Sequence, residues 1–320
     1  MNKILVLIVV LLIPIAIFTT PDDTEKVLKT DRNQNISLEV PASEEEVETE
    51  EEEAIQVSLS FNQDKSDAFT MSLEEYVIGV VAGEMPASFS EEALKAQAVA
   101  SRTFALYKMD SVQDYVLSTT INDQVYLTVQ DMKENWKDDF EYYYNRVKDA
   151  VMATEGEILT YDGNIASTYY FAISNGYTDD GLTVFNENKD YLVSVDSSWD
   201  KNYKSYQSLY TMNKTDFCNK LGISCGDIII SDVSRADNHY VRSIVINGTT
   251  FTGNEVFKKL NLKSTDFTIT VKGEKIEILT YGFGHGVGMS QYGAQGMASE
   301  GYTYLDILAH YYQGTKLTKL

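Results

Sequence analysis

The chain has 320 residues, which is enough for one large domain or two ordinary ones once any segment unable to build a core is set aside. It carries 48 acidic residues against 26 basic ones, for a formal net charge of −22. Proteins that bind nucleic acids present a basic surface, so we expect no nucleic-acid partner for this acidic chain.

The N-terminus begins with an apolar run from Ile4 to Phe18, followed by Thr19-Thr20-Pro21. This run is slightly shorter than the roughly 20 residues that a straight helix needs to cross a bilayer. A cleavable signal peptide has a similar apolar core but ends in a small-x-small site, which is absent here. We therefore expect residues 1–20 to be an uncleaved single-pass membrane anchor, with a removed signal peptide as the alternative. Either reading places the rest of the chain outside the cytoplasm.

The next segment, residues 21–55, is rich in Asp, Glu, Thr, Ser and Asn and holds nearly half of the net negative charge. Such a composition cannot build a core, and like charges at this density extend a chain. We expect a disordered acidic linker that separates the membrane from the folded part.

Residues 56–320 predict a single α+β domain of helices and short, mainly antiparallel strands around a groove, with residues 205–265 as a candidate inserted lobe. The spacing of apolar residues predicts helices that end near Pro86, start at Ser90, and cover 138–154, 213–221, 252–260 and 304–312. β-branched runs bounded by Gly, Asn and Asp predict strands at 56–69, 156–161, 169–173, 228–230, 241–246, 268–271 and 275–279.

Glu84 lies in an apolar context at the end of the first predicted helix. A carboxyl in apolar surroundings stays protonated nearer to neutral pH, which is what a general acid acting on a glycosidic bond needs. A solvated or ion-paired glutamate is the alternative. On the second helix, Lys95 and Arg102 are seven residues apart and share one face, where they either contact a polar substrate or form an exposed charged stripe.

Two later loops carry further candidate side chains. Ser174-Asn175-Gly176-Tyr177 follows a predicted strand and contains a tight-turn signal, which presents side chains to a cleft or is a turn alone. Glycine alternates with other residues between Tyr281 and Ala294 without matching a phosphate-binding fingerprint. The alternation favours close approach of a flat ligand such as a sugar to His285, Ser290, Gln291 and Tyr292, with structural glycines at bulges as the alternative.

The two cysteines, Cys218 and Cys225, are separated by six residues and have no histidine nearby. Outside the cytoplasm a close pair of this kind favours a disulfide over a metal site, provided that the geometry allows the bond. His239 and His310 receive no functional assignment, because the spacing of the three histidines does not predict a zinc site.

Four blocks in order resemble the stage II sporulation protein D (SpoIID) family, in the SpoIID/LytB domain group. They are Ser72-Leu-Glu-Glu-Tyr-Val to Gly83-Glu-Met-Pro, Glu92-Ala-Leu-Lys-Ala-Gln-Ala with Ser101-Arg-Thr-Phe, Ser174-Asn-Gly-Tyr-Thr, and Gly282-Phe-Gly-His-Gly-Val-Gly-Met-Ser-Gln-Tyr-Gly-Ala. The likeness spans roughly residues 57–315. The N-terminal anchor expected of that family is present as well.

The resemblance implies a lytic transglycosylase that cleaves peptidoglycan glycan strands between N-acetylmuramic acid and N-acetylglucosamine after stem peptides have been removed. In that family the glutamate matching Glu84 is the acid catalyst, and the residues matching Lys95 and Arg102 matter to activity. It also implies a place in the intermembrane space of a sporulating cell, with an amidase and a membrane partner. Some members bind zinc near the Ser174 block, but no cysteine stands there in this chain, so we expect no metal and no cofactor.

Two rival functions keep the same groove. The first is an amidase enhancer, a related domain that binds wall polymer and stimulates a partner without cutting glycan. The second is a purely adhesive wall-binding module. Both predict that no 1,6-anhydro ends form when the protein meets stem-free glycan.

Overall fold

The computed structural model describes residues 54–320. The predicted anchor at 1–20 and nearly all of the predicted linker at 21–55 lie outside the described residues, so both stay predictions. Within residues 54–320, no helix combines the length and the apolar character needed to cross a bilayer.

The first two helices form the centre of the fold. Helix α1 covers Leu73–Glu84, and the Ser72 hydroxyl caps it by accepting the Glu75 N–H at 3.3 Å. Helix α2 covers Glu91–Ser111, and its alanine-rich faces allow other helices to pack closely on it. The turn between the two helices contains Pro86, as the sequence predicted.

The remaining helices surround this pair. Helices α1, α4, α8 and α9 all contact α2, so α2 lies at the middle of the larger hydrophobic core. The helices after α2 are α3 (Val129–Trp136), α4 (Phe140–Met152), α5 (Gly181–Phe185), α6 (Lys214–Leu221), α7 (Gly253–Leu260), α8 (Gln291–Ser299) and α9 (Tyr304–Tyr311).

Small sheets cover this core. One sheet has the order β2-β1-β3, from Phe69–Ser72, Gln56–Ser60 and Leu117–Ser118. A second has the order β14-β4-β5, from Lys316–Lys319, Glu157–Tyr161 and Asn164–Ile165. A short parallel pair joins β6 (Tyr170–Phe171) to β13 (Met289–Ser290). This pair brings the Ser174 loop and the glycine-rich segment together, although they are more than a hundred residues apart in sequence.

A second, smaller hydrophobic core lies between residues 217 and 278. Its two antiparallel sheets pack against α6 and α7. The predicted lobe at 205–265 covers most of this region. Two further strands that contribute to the same core lie beyond residue 265, and the second of them ends at Tyr281. The strands are β7 (Gln207–Asn213), β8 (Ile230–Arg235), β9 (Val241–Ile246), β10 (Thr249–Thr252), β11 (Phe267–Lys272) and β12 (Lys275–Tyr281).

Two features stabilise this lobe. A disulfide joins Cys218 on α6 to Cys225 in the following loop, with their Cα atoms 5.5 Å apart. Arg242 on β9 forms two hydrogen bonds of 2.6 Å with the buried carboxylate of Asp179, which belongs to the larger core's side of the molecule. The bidentate geometry gives this contact directionality as well as strength, so it fixes the lobe in place.

The α+β class predicted from the sequence is confirmed by this arrangement. The structure adds three helices that the sequence patterns did not predict, α3, α5 and α8. The strand predicted at 156–161 forms as β4 and pairs with β5, whereas β6, within the strand predicted at 169–173, lies outside that sheet and pairs with β13.

Candidate active site

Glu84 is the last residue of α1, and its side chain points into a polar recess formed by three other parts of the chain. The Val125 N–H donates to Glu84 Oε1 at 2.6 Å. The loop carrying Val125 packs tightly against the last turn of α1, because a Cβ placed on Gly83 would lie only 2.6 Å from the Val125 carbonyl oxygen. Gly83 is therefore needed for this close approach, which fixes the carboxyl.

Two side chains complete the contacts of the Glu84 carboxyl. Tyr170 on β6 and Gln291, the first residue of α8, both act on it as hydrogen-bond donors. The parallel pairing of β6 with β13 places these residues together, since β13 runs directly into α8. Gln291 was among the predicted site residues, whereas Tyr170 was not.

The hydrogen bonds around Glu84 continue through a ring of uncharged groups. The Tyr170 hydroxyl also lies 2.8 Å from the Gln124 side-chain oxygen, and the Gln124 amide donates to the Ser101 carbonyl at 3.4 Å. Gln291 donates to Gln97 at 3.4 Å, and Gln97 donates to the Ser101 hydroxyl at 2.9 Å. Both chains of contacts thus meet at Ser101 on α2. Side chains linked in this way hold one another in a single arrangement.

Burial raises the pKa of Glu84 to about 7, and the hydrogen bonds from Val125, Tyr170 and Gln291 offset only part of that effect. The residue keeps some solvent exposure, but protein surrounds the carboxyl on most sides. No charged group contributes to the shift. A carboxyl of this kind can hold a proton near neutral pH and release it to a bound group.

His285 does not join this network. Its Nδ1 accepts the Val287 N–H at 3.1 Å, and the ring also donates to the Tyr170 backbone carbonyl. Tyr169 and Phe171 pack against the His285 ring at centroid distances of 6.1 and 5.6 Å. Successive side chains of a strand point to opposite faces, so β6 separates His285 from Glu84.

Burial lowers the pKa of His285 to about 4, which keeps the ring neutral at ordinary pH. With both polar contacts made to backbone groups, this histidine fixes the position of the glycine-rich segment. The sequence expected His285 to face the same groove as the acid, and the structure places it on the other side of the strand.

The Ser174 loop is anchored by a second buried carboxylate, Asp200. The hydroxyls of Ser174, Ser197 and Ser290 donate to Asp200 at 2.7, 2.7 and 2.8 Å. Burial raises the pKa of Asp200 to about 6. Asp200 therefore joins the Ser174 loop, the segment before β7 and the start of α8.

Asn175 and Tyr177 lie at the contact between this loop and the lobe. The Asn175 amide donates to the Asn238 carbonyl at 2.8 Å and to Asp266 at 3.0 Å, so its side chain is committed to the protein interior. Tyr177 is partly exposed, and the Lys201 amine lies 5.8 Å from its ring centre. Of the two, Tyr177 alone is accessible to a ligand.

The structure brings neither Lys95 nor Arg102 to the Glu84 carboxyl. Lys95 forms ion pairs with Glu91 at 2.7 Å and Glu92 at 3.1 Å on the outer side of α2. Arg102 is fully buried and pairs with Glu74 at 2.5 Å. It also donates to two backbone carbonyls, those of Val151 and Glu157. Arg102 thus has no face open to a substrate.

Tyr292 lies beside the loop that follows Glu84. Its ring packs edge-on against Phe89 at 5.0 Å and against Tyr203 at 4.7 Å. It is half-buried, so part of the ring remains accessible. The predicted residues that surround the acid are therefore Gln291, in direct contact, and Tyr292, next to it on α8.

Two cavities lie elsewhere in the described part of the chain, and Glu84 lines neither. One, of about 260 Å³, lies between the core and the lobe and is lined by residues that include Asp179, Arg242 and His285. The other, of about 420 Å³, is an open polar depression around Tyr107 and Tyr161. Among residues 54–320, no group of three or more His, Cys, Asp or Glu side chains is arranged to hold a metal ion.

The comparisons with known proteins agree with one another. A family model described as "Stage II sporulation protein" matches residues 62–161. The chain is 42% identical over 255 residues to stage II sporulation protein D of Bacillus subtilis, covering 77% of this chain and 74% of that protein. It is 41% identical to the protein of the same name from Bacillus amyloliquefaciens over the same shares. It is also 29% identical over 298 residues to the amidase enhancer of Bacillus subtilis, covering 75% of this chain and 40% of that protein.

Proposed function

The chain belongs to the stage II sporulation protein D family, and from that premise we propose that it is a peptidoglycan lytic transglycosylase with Glu84 as its acid catalyst. The family relation supports a role in sporulation that is related to the cell wall. The finer assignment of reaction, bond and product is our proposal.

One observation carries the proposal: Glu84 is a single carboxyl, held by uncharged donors in a recess, with burial raising its pKa to about 7. A hydrolase that acts on glycosidic bonds ordinarily needs two carboxyl groups, one as acid and one as nucleophile or base. Within the described residues, the contacts of Glu84 include no second carboxylate. A reaction that uses one carboxyl in both roles fits this arrangement.

The proposed reaction has two proton transfers. Protonated Glu84 donates its proton to the glycosidic oxygen as the bond from C1 of N-acetylmuramic acid to that oxygen breaks. The resulting carboxylate then accepts the proton of the C6 hydroxyl as its oxygen bonds to C1. The products are a free N-acetylglucosamine hydroxyl and a 1,6-anhydro-N-acetylmuramic end. Water is neither consumed nor released, and Glu84 returns to its protonated form.

The substrate that we propose is glycan from which stem peptides have been removed. An acid that is partly exposed suits a polymer that passes across the site. We also propose, on the family relation alone, that the chain is held at the membrane by its N-terminal segment and works outside the cytoplasm with an amidase and a membrane partner.

The test is to incubate the full-length protein with stem-free glycan and to search for 1,6-anhydro-muramic ends by mass spectrometry. We expect such ends from the natural sequence and a loss of about 10³-fold in rate for Glu84→Gln, the scale of general acid–base catalysis. Glu300→Gln, at an exposed glutamate on the C-terminal side of α8, serves as the matched control. Normal cutting by Glu84→Gln would rule out the assigned role.

An amidase enhancer is the second candidate, favoured by the 29% identity to that protein. It predicts that the chain binds glycan and raises the rate of an added amidase, while anhydro ends never form. The same incubation separates the two functions, because enhancement without anhydro products supports the enhancer, and anhydro products lost in Glu84→Gln support the lytic enzyme.

A further inference from the structure

A row of aromatic side chains runs beside the loop at 85–90, which directly follows Glu84. The row consists of rings from four separate parts of the chain, and none of the contacts that hold Glu84 uses them. From one end to the other they are Trp136, Tyr143, Tyr142, Phe89, Tyr292 and Tyr203.

One half of the row is fixed by α8. Gln291 contacts Glu84, the ring of the next residue Tyr292 packs on Phe89, and Gln295 accepts the Ser90 N–H at 2.6 Å. Three side chains of α8 therefore lie along the loop at 85–90, from Glu84 at its start to Ser90 at its end. Tyr292 is consequently placed beside the carboxyl rather than at a distance from it.

The other half is fixed by α4 through Arg146. The Arg146 guanidinium donates to the Ala87 carbonyl at 3.1 Å and to the Phe89 carbonyl at 2.6 Å, which ties α4 to the loop. The same guanidinium lies 5.7 Å from the centre of the Tyr142 ring. Tyr142 in turn contacts Tyr143 at a centroid distance of 5.2 Å. Arg146 thus connects the rings of α4 to those of α8 across the loop.

Packing does not explain Tyr142. Trp136, Tyr143 and Tyr292 are partly buried against the main hydrophobic core, which accounts for their aromatic character. Tyr142 is 61% exposed and is not part of that core. A large exposed ring next to an arginine offers an apolar face for stacking and polar groups for hydrogen bonding.

We propose that this aromatic row is an extended binding surface for the stem-free glycan strand, with Tyr142 as its most exposed sugar platform. The proposal rests on the proposed function and deepens it, because it assigns the path of the polymer beyond the bond that is cut. Sugar rings have one face of C–H groups and a rim of hydroxyls. A tyrosine ring can stack on the C–H face, and an arginine can donate hydrogen bonds to the hydroxyls. Tyrosines alongside Arg146 are suited to this hydroxyl-rich polymer rather than to an apolar protein partner.

The experiment measures binding of a hexamer of N-acetylglucosamine by calorimetry to the full-length protein carrying Glu84→Gln, which prevents cleavage. We expect Tyr142→Ala in this background to raise Kd by roughly 5- to 10-fold, the scale of one aromatic contact. Tyr142→Trp should retain the affinity, because a larger ring still stacks. Tyr302→Ala removes another exposed tyrosine, 43% accessible, that contacts none of these rings, and should leave Kd unchanged.

Three results would overturn the proposal: no measurable hexamer binding, a Kd within twofold of the parent for Tyr142→Ala, or an equal loss for Tyr302→Ala. Because the readout is binding without cleavage, it is independent of the catalytic assignment. Should the natural protein make no anhydro ends while Tyr142→Ala still weakens binding, the surface stands and the lytic activity fails. If instead cutting is lost in Glu84→Gln and Tyr142→Ala leaves Kd unchanged, the lytic activity stands and the binding surface fails.

Discussion

The surroundings of Glu84 and of Asp200 show two ways of burying a carboxyl. Burial raises the pKa of both groups, to about 7 for Glu84 and about 6 for Asp200. Asp200 has no exposed surface and receives three serine hydroxyls from three segments of the chain. Glu84 keeps part of its surface and is held by one backbone N–H and two side-chain donors.

The difference shows that a raised pKa does not by itself identify an acid catalyst. Asp200 has its hydrogen-bonding capacity occupied and has no route to a ligand, so its role is to fasten segments together. Glu84 combines a similar rise in pKa with a side chain that keeps part of its surface exposed. Solvent access, rather than the raised pKa alone, separates the two.

The buried pair of Arg102 and Glu74 extends this comparison and gives the largest expected effect. We expect Arg102→Met to lower the free energy of unfolding by about 3–5 kcal/mol, because it removes the buried guanidinium that pairs with Glu74 and donates to two backbone carbonyls. Urea unfolding of the variant measures this loss. Lys148→Met, at an exposed position of α4, is the control.

The role that the family resemblance assigns to Arg102 predicts something different. If Arg102 bound substrate directly, Arg102→Met would retain its stability and lose activity per folded molecule. Unfolding and turnover measured on the same preparation distinguish the two roles.

Removing Asp200 should have the next largest effect. Asp200→Ala leaves the hydroxyls of Ser174, Ser197 and Ser290 without their shared acceptor, and we expect a loss of about 2–3 kcal/mol in the free energy of unfolding. The carboxylate of the exposed Asp196 accepts hydrogen bonds from Ser198 in its own turn, which makes Asp196→Ala a matched control. Equal losses in the two variants would contradict the fastening role of Asp200.

Much of the fold was predictable because local signals and packing agree in this sequence. Ser72, Pro86 and Ser90 bound the first two helices as expected, and the strands of the lobe follow their β-branched runs. Helix α8 was missed because its glycines at 293 and 296 weaken the helical pattern. Those glycines are required by packing: a Cβ on Gly293 would lie 2.1 Å from the Tyr311 hydroxyl oxygen.

The site was predictable only in part. The apolar context of Glu84 indicated a buried carboxyl, and Gln291 was placed near it through the glycine-rich motif. Tyr170 and Gln124 were missed because the choice of the strand face that carries Tyr170 depends on the pairing of β6 with β13, and no local pattern encodes that pairing. His285 was assigned to the wrong side of the strand for the same reason.

The pH dependence of stability sharpens the comparison further. The pKa of Glu84 is higher in the folded protein than in an unfolded chain, so the folded state binds the extra proton. The contribution of this group to stability is therefore greatest at a pH below the pKa that Glu84 has in the unfolded chain. It is lost as the pH rises through about 7, the pKa in the folded protein. Glu84→Gln cannot ionise, and we expect it to exceed the natural protein's stability by about 2 kcal/mol at pH 8 and by much less at pH 5. Thermal unfolding at both pH values measures the difference, and Glu300→Gln should show none.

The smallest expected effect concerns Tyr170, a contact of Glu84 that was not predicted from the sequence. Tyr170 stabilises the ionised form of Glu84, so Tyr170→Phe should raise the pKa of Glu84 further, by roughly 0.5–1 unit. The proton must be on Glu84 for the bond to break, so kcat/KM falls as the pH rises through that pKa, and the falling limb of the profile should move to higher pH. Tyr177→Phe is the control, because Tyr177 is not among the donors to Glu84 and its removal should leave the limb in place. A falling limb that stays in place in Tyr170→Phe would mean that another group controls the proton. Glu84 would then no longer differ from Asp200 as the acid catalyst.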